Sequence, residues 1–322
     1  MIRIAGAGLA GLTSALELAR RGAKVTVYDR ASGPGKGSVA RYAGGMLAPW
    51  CERESADDAV VTLGRDAVEW WSGVTAVTRL GTLVVAPPRD RQEVARFARR
   101  TSDFTPVDGA GIAELEPALG GRFDQGLHFT KEAHLNPRQA LIDLTMASRD
   151  AGVSFRWATE APAGVTLDCT GPAANLPGLR PVRGEMAILQ CPEVEITRTV
   201  RLLHPRIPLY LVPRGAGIYM IGATMIESSS TRPPTLRSIS ELLSAAFTLH
   251  PGFAEASILE IGAGLRPAYG NNLPRLTRHG GGWALNGLYR HGFLLAPAMA
   301  KHVADTLLSE TSHEHPRECP AA

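Results

Sequence analysis

Glycines at positions 6, 8 and 11 spell G-x-G-x-x-G inside "IRIAGAGLAGLTSALELARRGA", and Asp29 closes the apolar run "KVTVYD" that follows. This spacing suits a dinucleotide. Gly6 allows a tight turn, Gly8 lets a pyrophosphate approach the backbone, and Gly11 lets the helix pack closely on the strand. Leu9 and Ala10 open that helix, where free N–H groups and the positive end of the dipole favour phosphate. An acidic residue about twenty positions on accepts hydrogen bonds from a ribose hydroxyl, which favours an unphosphorylated 2′ position and leaves FAD and NAD both open. A second stretch, "LNGLYRHGFLLAPAMAKHVADTLL" (285–308), reads as a buried strand, a glycine turn and an amphipathic helix. Its turn carries Arg290 and His291, which apolar packing does not require.

The elements that must hold these residues begin as β-α-β: "IRIA", a helix with Leu9, Leu12, Ala15, Leu16 and Ala19 at helical spacing up to Gly22, and "KVTVYD". Such an opening predicts a parallel sheet. "ASGPGKGSVARYAGG" reads as a loop, Asp57 to Trp71 as helical, "GTLVVAPP" as a strand and "RDRQEVARFARR" as a charged helix. "NPRQALIDLTMASRDAG" is an amphipathic helix with Pro137 in its first turn, leading to the strands "VSFRWAT" and "GVTLDCTG". "LYLVPRGAGIYMIGATM" alternates around Gly215–Gly217 as a hairpin of a second, antiparallel sheet. The fold class is therefore α/β (α+β). A Rossmann-like nucleotide-binding domain (1–50, 130–180 and 257–310) is interrupted by a mixed, largely antiparallel β substrate domain (51–129 and 181–256), and 311–322 forms a flexible tail.

The 322 residues are 44% hydrophobic, enough for more than one core. A net charge of +3 with interspersed signs gives no reason to expect nucleic acid or an anionic membrane as partner. No apolar run of spanning length occurs, and the strand beginning at Ile2 leaves no room for a signal peptide, so a cytoplasmic protein is expected. Cys51, Cys169, Cys191 and Cys319 are scattered without a CxxC pair, which favours neither disulfides nor zinc. His313, His315 and Cys319 cluster in the polar tail, where a solvated segment is the expectation and a metal is not. No Ser/His/Asp set or paired carboxylates supply a nucleophile or general base.

"GAGLAG", "AGGMLAPWCE" (43–52), "VRGE" (182–185), "PLYLVPRGAGIYMIGATM" (208–225), "GAGLRPAYGNNLPRL" (262–276) and "GLYRHGFLLAP" (287–297) together resemble the D-amino-acid-oxidase-like flavoproteins. Within that family they look most like the glycine oxidases of thiamine biosynthesis, the ThiO type. The resemblance runs from Ile2 to about Leu308 and implies FAD as cofactor. It adds Arg30, Ala43, Gly44, Gly45, Met46, Thr170, Gly171, Arg266, Tyr289, Arg290, His291, Gly292, Phe293 and Leu294 to the cofactor-binding set. It sets the last glycine turn beside the isoalloxazine ring, with the following helix aimed at the pyrimidine end, where reduction leaves negative charge. Gly292 then lets the backbone approach the ring. His291 either touches flavin or substrate or serves a structural hydrogen bond.

For substrate binding the resemblance implies Arg266 as the carboxylate anchor, a role for which a guanidinium offers a two-donor fork. It also implies Tyr210, whose hydroxyl meets the same carboxylate, and Arg290 on the substrate side. Met46 and Met225 either line the pocket or fill the core. The implied reaction is hydride transfer from a small amine to flavin without an essential side-chain base, then reduction of O2 to peroxide. Glycine is the expected substrate, its imine feeding thiazole formation; sarcosine, iminodiacetate or a D-amino acid are the rivals. A dehydrogenase with another electron acceptor and a non-catalytic flavin-binding protein are the further alternatives. Three departures matter: residues 153–170 are short, the loop 31–42 differs in detail, and no cysteine lies near "GLRPAY", so the FAD is expected to be non-covalent. Relatives often form dimers or tetramers, so a homo-oligomer is compatible with the resemblance.

Overall fold

The computed structural model describes residues 1–204 and 208–314. The chain opens as β1 (Ile2–Ala5), α1 (Leu9–Arg20) and β2 (Val25–Tyr28), and β1 and β2 pair in parallel. Gly22, at φ +86°, supplies the left-handed residue just beyond the helix. Parallel neighbours join on both sides: β3 (Ser154–Arg156) beside β2, and β4 (Leu167–Asp168) beside β1. The antiparallel pair β5 (Arg275–His279) and β6 (Gly282–Asn286) then extends the sheet beyond β4. The expected return of "VSFRWAT", "GVTLDCTG" and the C-terminal strand to the first sheet is what the chain does. The inner strands bury Leu167, Ala284 and Leu285, whereas β3, at the sheet edge, leaves Ser154 and Arg156 exposed.

Helix α2 (Gly292–Glu314) packs on α1 and carries the turn 287–291 at its head. Its position rests on two local features. Pro297 lacks an N–H, so the Phe293 carbonyl loses its helical partner; the buried Trp71 indole donates to that oxygen at 2.7 Å instead. Gly64 has no side chain to spare, because a Cβ there would strike Leu294. The expected single helical run 57–71 is two helices, Asp58–Gly64 and Ala67–Ser72, both packed on α2. Helix Pro137–Asp150 starts as expected, with the Asn136 side chain accepting from the Arg138 N–H at 3.1 Å and Pro137 in the first turn.

A second, nine-stranded and largely antiparallel sheet contains the hairpin Leu209–Gly215/Ile218–Gly222 and the long strands Arg180–Gln190 and Ser257–Ala268. Each sheet has its own hydrophobic core. Ile4, Leu12, Leu167 and Leu295 lie in the first, and Leu83, Leu202, Ile221 and Leu242 in the second. Arg214 ties the hairpin to the first core: its buried guanidinium donates to the carbonyls of Leu135 (2.8 Å), Ala43 (3.1 Å) and Gly44 (2.8 Å). Helix α2 continues to Glu314, so it runs into the segment expected as a tail; residues 315–322, including His315 and Cys319, lie outside the described residues, as does the His313 side chain.

Candidate active site and cofactor cleft

One cavity of about 1180 Å³ runs between the two sheets, from the glycine turn after β1 to the turn before α2. At the first end, Gly6 holds φ +95°, and a Cβ there would strike the Cys169 carbonyl; a Cβ on Gly11 would strike the Gly6 carbonyl. Gly11 therefore lies behind the turn and serves helix–strand packing, while Gly6, Gly8, Leu9 and Ala10 line the cavity. Gly8 differs from both, since a Cβ on it would meet only the Ser38 hydroxyl at 3.5 Å. No side chain caps the N-terminus of α1, and its first turn holds no acidic residue. An uncapped helix start under a bare glycine is a cradle for pyrophosphate, so the residues present fit a dinucleotide.

Asp29 stands at the expected place, and its carboxylate also accepts the Ala7 N–H at 2.6 Å and the Ala31 N–H at 2.7 Å, which braces the glycine turn. Arg30 reaches outward to an exposed ion pair with Glu160 while its residue still lines the cavity. Ala43, Gly44, Gly45, Met46, Thr170 and Gly171 form the middle of the cleft. Tyr289, Arg290, His291, Gly292, Phe293 and Leu294 form its far end. There Gly287 has φ +85° and Tyr289 φ +43°, the sharp reversal that turns β6 into α2.

Arg266, Tyr210, Arg290, Met46 and Met225 all reach this same cavity. Arg266 lies across Gly184, whose missing Cβ makes room for the guanidinium. The guanidinium donates to the Thr224 carbonyl at 3.2 Å and forms no ion pair among the described residues. Burial, with the nearby Arg290 charge, lowers its pKa to about 10, so it remains a cation at neutral pH. A half-buried arginine that faces the cavity and has no carboxylate partner among the described residues is arranged for an anion from outside.

Arg290 and Tyr210 are arranged differently, because both meet Glu52. Arg290 Nη2 donates to Glu52 Oε2 at 2.7 Å, and the Tyr210 hydroxyl donates to Glu52 Oε1. His291 Nδ1 lies 3.4 Å from the same carboxylate, and Arg201 Nη1 lies 3.8 Å away. Arg201 also reaches Glu54 at 3.2 Å and stacks between the rings of Phe97 and Tyr210. Burial disfavours the Glu52 charge, but Arg290 above all, with Arg201 and the Tyr210 hydroxyl, overrides it and holds the carboxyl well below the usual carboxylate range. Burial holds His291 at about 4, hence neutral at physiological pH. Met46 packs beside Met186, Val212 and Met220, whereas Met225 is 51% exposed and its sulfur lies 3.5 Å from Arg290.

Glu52 went unassigned in the sequence although it ends the "AGGMLAPWCE" stretch. The signal available was a lone acidic residue two positions past an apolar Pro-Trp pair, on a short helix whose neighbours are buried. Gly184 in "VRGE" was equally silent about its function, which is to vacate space for Arg266.

The model of the family described as "FAD dependent oxidoreductase" matches residues 2–306. The chain belongs to that family. An FAD-dependent enzyme must hold a pyrophosphate, and the glycine turn, the uncapped helix and the brace by Asp29 fit that group. The chain is 53% identical, over 96% of its own length and 97% of the relative's, to a candidate thiamine-biosynthesis oxidoreductase ThiO of Rhizobium etli. It is 27% identical to a glycine oxidase of Pseudomonas aeruginosa, over 94% of this chain and 93% of that one. Among solved structures it resembles an iminodiacetate oxidase from Chelativorans sp. BNC1 with TM-score 0.78 and 25% identity, covering 99% and 97% of the two chains. The α/β fold and the ThiO-type glycine-oxidase resemblance expected from sequence are thereby both supported.

Proposed function

We propose that this enzyme oxidises glycine to its imine, which water converts to glyoxylate and ammonia, with O2 reduced to hydrogen peroxide. The observation that carries the reading is Arg266, a cation facing the cavity beside the flavin-side turn with no carboxylate partner among the described residues. FAD, when bound, supplies the electron sink for the substrate's Cα–H bond and passes the electrons to oxygen. The chain's own residues bind and orient. Arg266 takes the substrate carboxylate, Gly184 gives it space, and the neighbouring walls from Met46, Tyr210 and Arg290 confine the small amine so that few orientations remain. No side chain is required as base, because a neutral amine can release the Cα hydrogen without one. The cofactor is held non-covalently, through the glycine turn, the α1 N-terminus and the cleft residues 43–46, 170–171 and 289–294. The Rhizobium etli relative's name supports a place for this chain in thiamine biosynthesis, and delivery of the imine to thiazole formation is the step we propose there.

Anaerobic mixing of the purified yellow protein with glycine tests the proposal. Bleaching of the visible flavin band, then its recovery with peroxide on admitting air, is the expected outcome. A flavin that glycine leaves oxidised would remove glycine as substrate, and recovery in air without peroxide would remove the oxidase assignment.

A further inference from the structure

The far end of the cavity holds Arg201, Arg266 and Arg290 with Glu52 and Glu54, while Glu185, also on its wall, is bound to Arg183, and the pairing of the three arginines is uneven. Arg290 is committed to Glu52 at 2.7 Å, and Arg201 to Glu54 at 3.2 Å and to Glu52 at 3.8 Å. Arg266 is the arginine left over, bonded only to the Thr224 carbonyl among the described residues. His291, neutral, adds no charge. Glu52 itself lines the cavity, with a side-chain exposure of 4%. The charge exposed to an incoming ligand is therefore one cation, Arg266, with a buried carboxylate on the wall beyond it.

We propose that Glu52 sets the substrate class by neutralising Arg290, so that the pocket accepts an amine bearing a single carboxylate and rejects one bearing two. A second substrate carboxylate, such as that of iminodiacetate, would need a second unpaired cation. It meets Glu52 instead, at a site where burial weakens screening and like charges repel strongly. Glu52 thus acts on specificity through Arg290 and through its own charge, without touching the reacting carbon. The inference rests on Arg266 as the carboxylate anchor of the proposed glycine reaction and names which relatives of glycine fit.

The test compares two inert carboxylates, acetate and malonate, by titrating the holoenzyme and reading the perturbed flavin spectrum. The wild type is expected to bind acetate at least about tenfold more tightly than malonate. Glu52→Gln, which frees Arg290, should shift the malonate-to-acetate affinity ratio toward malonate by about tenfold or more. Glu52→Asp should keep the wild-type order. The double variant Glu52→Gln/Arg290→Gln, which removes the freed cation together with the anion, should return the ratio toward acetate, and it also serves if the single variant fails to fold. An unchanged ratio in Glu52→Gln, or a double variant that retains malonate preference, overturns the proposal. Spectral titration needs no turnover, so the two readings fail separately. Flavin inert to glycine with the ratio shifting as expected sinks the glycine reaction alone, and glycine oxidation with no shift sinks the role of Glu52.

Discussion

The two ends of the cleft are built from different material. At the end that fits a nucleotide the wall is backbone: Gly6 and Gly11, which have no room for a side chain, an uncapped helix start, and a carboxylate that braces the turn through Ala7 and Ala31. At the proposed amine end the walls carry charge, gathered from Glu52 and Glu54 and from Arg201, Arg266 and Arg290 far along the chain. Space errors therefore break the first end, and charge errors retune the second. A collision with backbone has no low-energy escape, whereas a lost ion pair changes affinity while the fold persists.

The sharpest way to break the comparison is Gly11→Ala. Its Cβ would drive into the Gly6 carbonyl, so we expect about 3 kcal/mol or more of destabilisation and loss of flavin, read by thermal unfolding and by absorbance after gel filtration. Gly8→Ala should separate the two consequences, because Ser38 alone is near its Cβ: the protein folds and the flavin affinity falls. If Gly11→Ala retains flavin at wild-type stability, the packing account of this end is wrong. At the other end, Arg266→Ala should raise KM for glycine roughly 10- to 150-fold, about 1.5–3 kcal/mol, with the flavin still bound. Loss of flavin with KM unchanged would place Arg266 with the cofactor instead.

Arg214 lies between the two regimes, a buried cation whose work is to hold backbone. Arg214→Leu strands the carbonyls of Leu135, Ala43 and Gly44, and should cost about 1–3 kcal/mol in urea unfolding and weaken flavin retention. Wild-type retention at wild-type stability would show that the clamp is dispensable. The smallest effect concerns Glu132, buried beneath the amine end, whose carboxylate accepts the Cys51 N–H at 2.7 Å. Burial raises its pKa from 4.5 to about 8, so its stabilising contribution is complete at low pH and is lost as pH rises toward 8. His134 and His291, buried and held at about 4, act oppositely between there and their ordinary 6.5. Above 6.5 this opposition, to which His128 and His250 also contribute because burial lowers their pKa, fades and the Glu132 effect shows through. Wild-type stability should fall there by up to about 1.4 kcal/mol per pH unit, and Glu132→Gln should flatten the slope in unfolding curves at pH 6.5 and 8. A slope unaltered in the variant would assign it elsewhere.

The sequence by itself determined the glycine turn and the β-α-β unit around it, because their signals are local. Gly6, Gly8 and Gly11 act within one turn, Asp29 lies one strand further on, and strand and helix periods in between are read from neighbouring residues. It also placed Arg266, Tyr210 and Arg290 on one cavity, through motifs whose order along the chain suits one family. What only the tertiary structure decided is which of those groups is already partnered. Glu52 lies 158 residues from Tyr210 and 238 from Arg290, and nothing in the spacing of either motif announces that they share it. The division of one long helical run into two, the Trp71 bond that replaces the one Pro297 cannot make, and the vacancy at Gly184 belong to the same class. Backbone conformation is set by adjacent residues, whereas charge pairing and packing depend on distances in space that chain folding alone creates.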